Sequence, residues 1–160
     1  MRTIQNWLDE YAESHQNPTN KKVHYVCVPF IFFSIVGLFY SIPYSLYSFP
    51  FLEINVATII LLFVFVYYLR LSISLAVGMF LFAFCCLLIC HQIKMLGLSN
   101  GISYLLPLTS VVIFVLAWIV QFWGHGIEGK KPSFAKDIQF LMIGPAWIMS
   151  FIYKKIGISY

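Results

Sequence analysis

The sequence predicts an all-α fold, a multi-pass bundle of transmembrane helices, from three observations. Hydrophobic residues make up 61% of its 160 residues and charged residues 10%, whereas soluble domains have roughly 45–50% and about 25%. The mean hydropathy is +0.85. Long stretches without Asp, Glu, Lys or Arg recur along the chain, as spanning helices require. Ten basic and six acidic side chains are too few to cover a water-facing surface, which excludes a soluble enzyme, a nucleic-acid-binding protein and a disordered tail.

The first expected element is an amphipathic helix at the N-terminus. Four apolar residues there recur with the spacing i, i+3, i+4 and i+7: Ile4, Trp7, Leu8 and Tyr11. This spacing places them on one helix face, opposite the acidic residues. We expect the helix to lie on the membrane or to dock on the cytoplasmic end of the bundle.

Four spanning helices follow from the spacing of the charges. Stretches of 30, 16, 23 and 33 residues without Asp, Glu, Lys or Arg lie between Lys22, Glu53, Arg70, Lys94 and Glu128. A spanning helix needs about 20 apolar residues, with a range of about 17–25. The first loop is expected at 41–50, which holds two prolines, and a turn is expected at 98–101. We place the four spans near residues 25–42, 52–69, 71–93 and 103–123.

The last apolar segment, residues 138–153, is short for a span and has Gly144-Pro145 in its middle. Proline removes a backbone donor and kinks a helix. A re-entrant or interfacial helix is the first interpretation of this segment, and a short fifth span is the second.

The basic residues set the orientation. With four spans, one side holds seven of them: Arg2, Lys21, Lys22, Arg70, Lys130, Lys131 and Lys136. The opposite side holds Lys94, and Lys154 and Lys155 join the majority if the last segment does not cross. The positive-inside rule then favours both termini in the cytoplasm, in a bacterial inner membrane or the endoplasmic reticulum. We expect one membrane domain over 1–160, composed of an N-terminal segment, the bundle, a cytoplasmic segment and a C-terminal part: 1–24, 25–123, 124–137 and 138–160.

This topology sorts the four histidines. His15 and His24 precede the first span and His125 follows the fourth, so all three are expected at the cytoplasmic face. His91 closes the third span, about 30 Å away along a straight helix that starts at Leu71. We therefore expect His91 to lie outside any site formed by the other three, and we assign it no chemistry.

Three imidazoles at one membrane face can bind a divalent metal. Neutral imidazole suits Fe, Zn, Cu or Ni, and three protein ligands leave coordination positions open, as a catalytic metal requires. Glu128 comes three residues after His125 and faces the same way if the helix continues past Gly126. Glu128 is then either a fourth ligand or a hydrogen-bond partner of a ligand.

Plainer interpretations stand beside this one. Each histidine alone fits a surface or interfacial position, and Asn20 fits turn chemistry near Pro18. Gln121 fits an interhelical hydrogen bond inside the membrane. The sequence contains no histidine boxes of the membrane di-iron type, no GxSxG nucleophile elbow, no HExxH helix and no Walker loop.

Two distant stretches resemble the paired signatures of one small family of membrane proteins. The first comprises 7–11, 14–20, His24 and 28–29, and the second comprises Trp118, 121–126 and 128–132. The family includes a yeast endoplasmic-reticulum 2-hydroxy fatty acid dioxygenase of phytosphingosine breakdown. The resemblance covers essentially the whole chain, including its length and the number of spans.

The resemblance implies an Fe(II)-dependent dioxygenase of fatty acid α-oxidation. The implied reaction converts a 2-hydroxy fatty acid and O2 into the acid one carbon shorter, CO2 and water. The substrate supplies all four electrons, so neither a reductase domain nor 2-oxoglutarate is required. The implied partners are the 2-hydroxy fatty acid, O2 and membrane lipid. The alternative function is a non-catalytic membrane scaffold or small transporter, with a structural metal site or none.

The resemblance also implies roles for individual residues. His15, His24 and His125 occupy the family's histidine positions and are the implied ligands of Fe(II). Asn20 and Glu128 lie in the motifs and are assigned to catalysis. We further hypothesise that Lys130 or Lys131, with Lys131 as our choice, neutralises the substrate carboxylate, while the acyl tail enters the apolar bundle from the cytoplasmic leaflet. The family's acidic residue in the last apolar segment is missing, because 143–150 contains no acid.

Overall fold

The computed structural model describes residues 2–131 and 139–160. Within them it contains six α-helices and one two-stranded antiparallel β-hairpin, so the predicted helical bundle is confirmed and the hairpin is an addition. Pro132 of the second motif and Lys136 of the basic set lie outside the described residues. The elements are α1 (Ile4–Ala12), α2 (Pro18–Tyr40), β1 (Ser45–Ser48), β2 (Glu53–Asn55), α3 (Val56–Leu71), α4 (Ile73–Ser99), α5 (Leu105–Glu128) and α6 (Phe140–Ile156).

Among the described residues, three helices have the length and composition to cross a membrane: α2, α4 and α5. Helix α3 is equally apolar but has 16 residues, because part of the predicted second span forms β2 instead. Its crossing, and with it the count of four spans, stays a prediction.

Helices α2 and α5, which carry His24 and His125, are longer than predicted. Helix α2 begins at Pro18 rather than near residue 25, because the Asn17 side chain accepts hydrogen bonds from the amides of Thr19 and Asn20 and proline suits the first helical position. Helix α5 continues to Glu128 and ends at Gly129, whose φ of 71° is the left-handed conformation that glycine favours. The histidines expected outside the spans, His24 and His125, therefore lie within helices.

The predicted first loop and the start of the predicted second span form the hairpin. Strand β1 pairs antiparallel with β2, and α3 begins only at Val56 because the Asn55 side chain caps it. The predicted turn at 98–101 is shorter than expected, since α4 runs to Ser99 and the chain turns at Gly101, with φ 72°.

Helix α1 docks on α6 through its predicted apolar face. All four residues of that face are buried, and they share a hydrophobic cluster with Phe140, Ile143 and Trp147 of α6. Helix α6 is one continuous helix through Gly144 and Pro145. Whether α6 crosses the membrane or follows a re-entrant path stays a prediction.

Candidate metal centre

The start of α2 and the end of α5 bring three imidazoles together at one end of the bundle. The ring centroids of His15 and His24 are 4.2 Å apart, those of His24 and His125 4.8 Å, and those of His15 and His125 5.1 Å. One ring nitrogen from each lies within 4.8 Å of the others. All three residues are buried, at 0%, 0% and 4% exposure. The arrangement is a compact set of nitrogen donors shielded from water.

Local structure holds His15 in place. The residue lies in the short turn between α1 and α2, and its ring stacks on Tyr11 with centroids 4.2 Å apart. Its Nδ1–H donates to the Tyr11 carbonyl at 2.6 Å. Since Tyr11 belongs to the buried face of α1, docking of α1 on α6 fixes this imidazole.

Backbone hydrogen bonds set which nitrogen of two rings carries the lone pair. His15 Nδ1 donates to Tyr11, and His24 Nδ1 donates to the Asn20 carbonyl at 2.9 Å. In each ring the lone pair therefore lies on Nε2. Partners of this kind fix the tautomer and orientation of metal-ligating histidines.

Two further observations fit a metal ion at this position. Within the described residues, His15 Nε2 and His125 Nδ1 are buried and have no hydrogen-bond partner, and buried polar atoms seldom remain unpaired. Burial lowers the pKa of His15 to about 4, so its imidazole is neutral at pH 7. Neutral imidazole is the form that binds metal.

Gln121 joins α5 to this cluster. Its side-chain amide donates to His24 Nε2 at 2.9 Å, which confirms the predicted interhelical hydrogen bond. Its Oε1 is buried without a hydrogen-bond partner in the described part of the chain. The sequence did not indicate that the partner of Gln121 would be a site histidine; its position four residues before His125, on the same helix face, was the available signal.

Glu128 fastens the turn that carries His15. Its two carboxylate oxygens accept from the amides of Gln16 at 2.9 Å and Asn17 at 2.8 Å, and from Asn20 Nδ2 at 3.2 Å. Among the described residues, the side chains that lie close enough together to hold one metal ion are the three histidines, and Glu128 is not one of them. The carboxylate therefore supports the turn, across 112 residues of sequence.

The other two residues assigned to catalysis differ in position. Asn20 is fully buried; its Nδ2 also donates to the Ser14 carbonyl at 3.3 Å, and its Oδ1 has no hydrogen-bond partner in the described residues. Lys131 is exposed, outside the buried cluster. Its neighbour Lys130 donates to the Glu13 carbonyl at 2.7 Å. Catalytic roles for Asn20, Glu128 and Lys131 stay predictions.

His91, a residue of α4, lies beside the end of α2 that is farther from the histidine cluster, as expected. Its Nδ1 accepts from the hydroxyl of Tyr40 at 3.0 Å, and its Nε2 donates to the Pro50 carbonyl at 3.2 Å. Tyr40 is sixteen residues beyond His24, which is about 24 Å along the helix. His91 therefore anchors the hairpin.

Comparisons with known proteins give one match. The family model described as "2-hydroxy-palmitic acid dioxygenase Mpo1-like" matches residues 1–156, which includes both motifs and all three clustered histidines. No curated protein and no solved structure gives a significant match.

Proposed function

Because the chain belongs to the Mpo1-like family, we propose that it is an Fe(II)-dependent dioxygenase that shortens 2-hydroxy fatty acids by one carbon. The proposed reaction is R-CH(OH)-COOH + O2 → R-COOH + CO2 + H2O. Atoms balance, and the substrate supplies the four electrons that reduce O2. The observation that carries the proposal is the buried cluster of three histidines, in which His15 Nε2 and His125 Nδ1 have no hydrogen-bond partner among the described residues.

His15, His24 and His125 are the residues that would hold the metal. When bound, iron would supply open coordination positions and Lewis acidity at the reacting oxygens. Tyr11 and Asn20 hold two of the rings through their backbone carbonyls. Glu128 keeps the His15 turn closed over the start of α2.

The surroundings of the cluster suit an amphiphilic substrate. A small cavity beside it is lined by Val28, Ile31 and Trp118 together with His15 and His125. Apolar walls exclude water and favour an alkyl chain by about 0.8 kcal/mol per buried CH2 group. We propose that Lys130 or Lys131, at the rim after α5, pairs with the substrate carboxylate.

We also propose a single integral-membrane domain with both termini in the cytoplasm. The three long apolar helices support membrane insertion. The excess of basic residues on the side of the histidine cluster supports the orientation.

Turnover by the purified protein tests the proposed function. The protein in lipid nanodiscs is supplied with Fe(II), O2 and 2-hydroxypalmitate, and the products are measured by mass spectrometry. We expect the C15 acid and CO2 in equal amounts. Palmitate, which lacks the 2-hydroxyl group, and anaerobic samples are the controls and should give no product. A protein that binds iron stoichiometrically but forms no C15 acid would contradict the proposal and favour a structural metal site.

A further inference from the structure

Two cavities lie on either side of one aromatic residue of α2. The cavity beside the histidine cluster has a volume of about 50 Å³. A second cavity of about 370 Å³ lies between α3, α4 and the hairpin. Phe32 lines both, so its ring forms the shared wall.

Size separates the roles of the two cavities. A water molecule takes about 30 Å³ of liquid, and an apolar cavity of about 150 Å³ binds benzene. The cavity at the cluster therefore holds only the first carbons of an acyl chain. The second cavity lies within the roughly 300–1,000 Å³ range of small-molecule sites and holds most of a long tail.

The second cavity is chemically suited to hydrocarbon. Its lining is apolar apart from Thr58 and Tyr68, and both hydroxyl groups are already engaged. Thr58 Oγ1 donates to the Glu53 carbonyl at 3.0 Å, and the Tyr68 hydroxyl donates to the Met142 carbonyl at 2.6 Å. A ligand in this cavity would find no unsatisfied hydroxyl to bind, which favours an alkyl chain.

The hairpin lines the far end of the second cavity. Phe49, Leu52 and Ile54 contribute to the lining there. Lys94 of α4 holds the hairpin through an ion pair, since its Nζ lies 2.7 Å from a Glu53 carboxylate oxygen. At the near end, the half-buried Phe32 ring packs on Phe82 of α4, with centroids 5.2 Å apart.

We propose that the acyl tail runs from the histidine cluster past Phe32 into the second cavity, and that Phe32 together with the cavity walls selects chain length. This inference rests on the proposed function. It makes Phe32 a specificity-determining residue, since Phe32 lines both spaces.

A chain-length profile tests the proposal. kcat/KM is measured for 2-hydroxyhexanoate and 2-hydroxypalmitate with Phe32→Trp, which thickens the shared wall, and with Ala83→Leu, which fills the second cavity from α4. We expect kcat/KM for the long substrate to fall about tenfold or more in both variants, since each excluded methylene group is worth about a factor of four. The short substrate should change by less than about twofold.

Matched controls lie beside both positions. Phe33 is the next residue on α2, is half-buried and lines neither cavity, so Phe33→Trp should not alter the ratio of long to short substrate. Cys85 is exposed on α4, so Cys85→Leu serves the same purpose for Ala83→Leu. Equal losses for both chain lengths, or a fall of the long-to-short ratio in Phe33→Trp as large as in Phe32→Trp, would overturn the proposal.

Photo-crosslinking tests the route without turnover. A 2-hydroxypalmitate analogue with a diazirine near its methyl end is irradiated with the protein in nanodiscs, and labelled peptides are identified by mass spectrometry. We expect labels on the cavity faces of α3 and α4, and their loss in Ala83→Leu. Labels confined to the outer faces of α5 and α6 would show that the tail lies in the bilayer and overturn the proposal. An inactive wild-type protein labelled at α3 and α4 would instead contradict only the proposed function.

Discussion

At the scale of single residues, two of the three imidazoles are held by backbone carbonyls that belong to different helices. His15 and His24 each donate from Nδ1 to a carbonyl four residues earlier, at Tyr11 and Asn20. For His15 the partner comes from the docked helix α1, and for His24 it comes from its own helix. The ring of His15 therefore depends on the position of α1.

Replacing single histidines should separate the cluster from the rest of the molecule. We expect His15→Ala, His24→Ala and His125→Ala to lower Fe(II) affinity by more than the roughly 10–100-fold that loss of an outer hydrogen-bond partner costs. His91→Ala is the matched control and should retain the metal of the wild-type protein. Metal content after dialysis, measured by plasma mass spectrometry, decides between these outcomes; iron loss in His91→Ala would contradict the assigned site.

Glu128 should act through the His15 turn rather than as a ligand. We expect Glu128→Ala to weaken metal binding about 10–100-fold and to lower the free energy of unfolding by about 1–3 kcal/mol, because three hydrogen-bond donors lose their charged acceptor. Glu128→Gln, which keeps an acceptor oxygen, should show smaller effects. Titration with Fe(II) and thermal unfolding in detergent measure the two quantities, and Glu13→Ala, a change at an exposed acid, is the control. Abolished metal binding with unchanged stability would instead indicate a ligand.

At the scale of elements, the site exists because α2 and α5 approach closely. A Cβ atom at Gly124 would lie 2.7 Å from Asn20 Oδ1 and 3.1 Å from Val23 Cγ1. Gly124 therefore lets α5 pass beside the first turns of α2, one residue before His125.

A pair of glycine substitutions tests this contact. We expect Gly124→Ala to destabilise the protein by about 1–3 kcal/mol, as overpacking does, and to reduce metal binding. Gly126, two residues on, has no neighbouring atom of the described residues within 4 Å of an added Cβ, so Gly126→Ala should be neutral or stabilising by roughly 0.5–1 kcal/mol. Apparent melting temperatures of the two variants in the same detergent make the comparison; equal melting temperatures would show that close packing at Gly124 is unimportant.

The approximate positions of the long helices could be predicted from the sequence, but the residues at which they begin and end could not. Charge spacing located α2, α4 and α5 because apolar stretches of that length form helices in a membrane. All three were predicted too short: α2 begins at Asn17-Pro18, α4 runs past Lys94 to Ser99, and α5 continues to its cap at Gly129. Strands of four and three residues, one of them wholly exposed, are too short to produce a period-two pattern.

At the scale of the whole molecule, the histidine cluster and the hairpin occupy opposite ends of α2. If α2 crosses the bilayer, the two ends face different compartments. From the excess of basic residues on its side, we expect the cluster to face the cytoplasm.

Cysteine labelling tests this orientation. In a background with the four native cysteines changed to serine, single cysteines are placed by Ser45→Cys in the hairpin and Lys131→Cys after α5. We expect a membrane-impermeant maleimide to label the cysteine at position 45 only from outside and the cysteine at position 131 only from the cytoplasmic side. Labelling from the expected side should be near complete, and labelling from the other side should stay at background. Labelling of both from the same side would contradict the predicted topology.

Topology reasoning predicted that His15, His24 and His125 lie together and apart from His91, as the structure has them, but their mutual geometry required the tertiary structure. The hydrogen bonds of Glu128 to Gln16 and Asn17 join opposite ends of the sequence, and local patterns carry no information about such contacts. The resemblance to the family supplied the iron and the substrate, which the ligand types alone leave open.

The contact between Glu128 and the first turn also has a consequence for biosynthesis. His15 and His24 leave the ribosome early, but the third imidazole and the carboxylate that closes the turn follow more than a hundred residues later. If α2 enters the bilayer during translation, it does so before the donors of α5 exist. We therefore expect nascent chains halted before residue 125 to lack a complete centre, and any metal to be loaded late in synthesis.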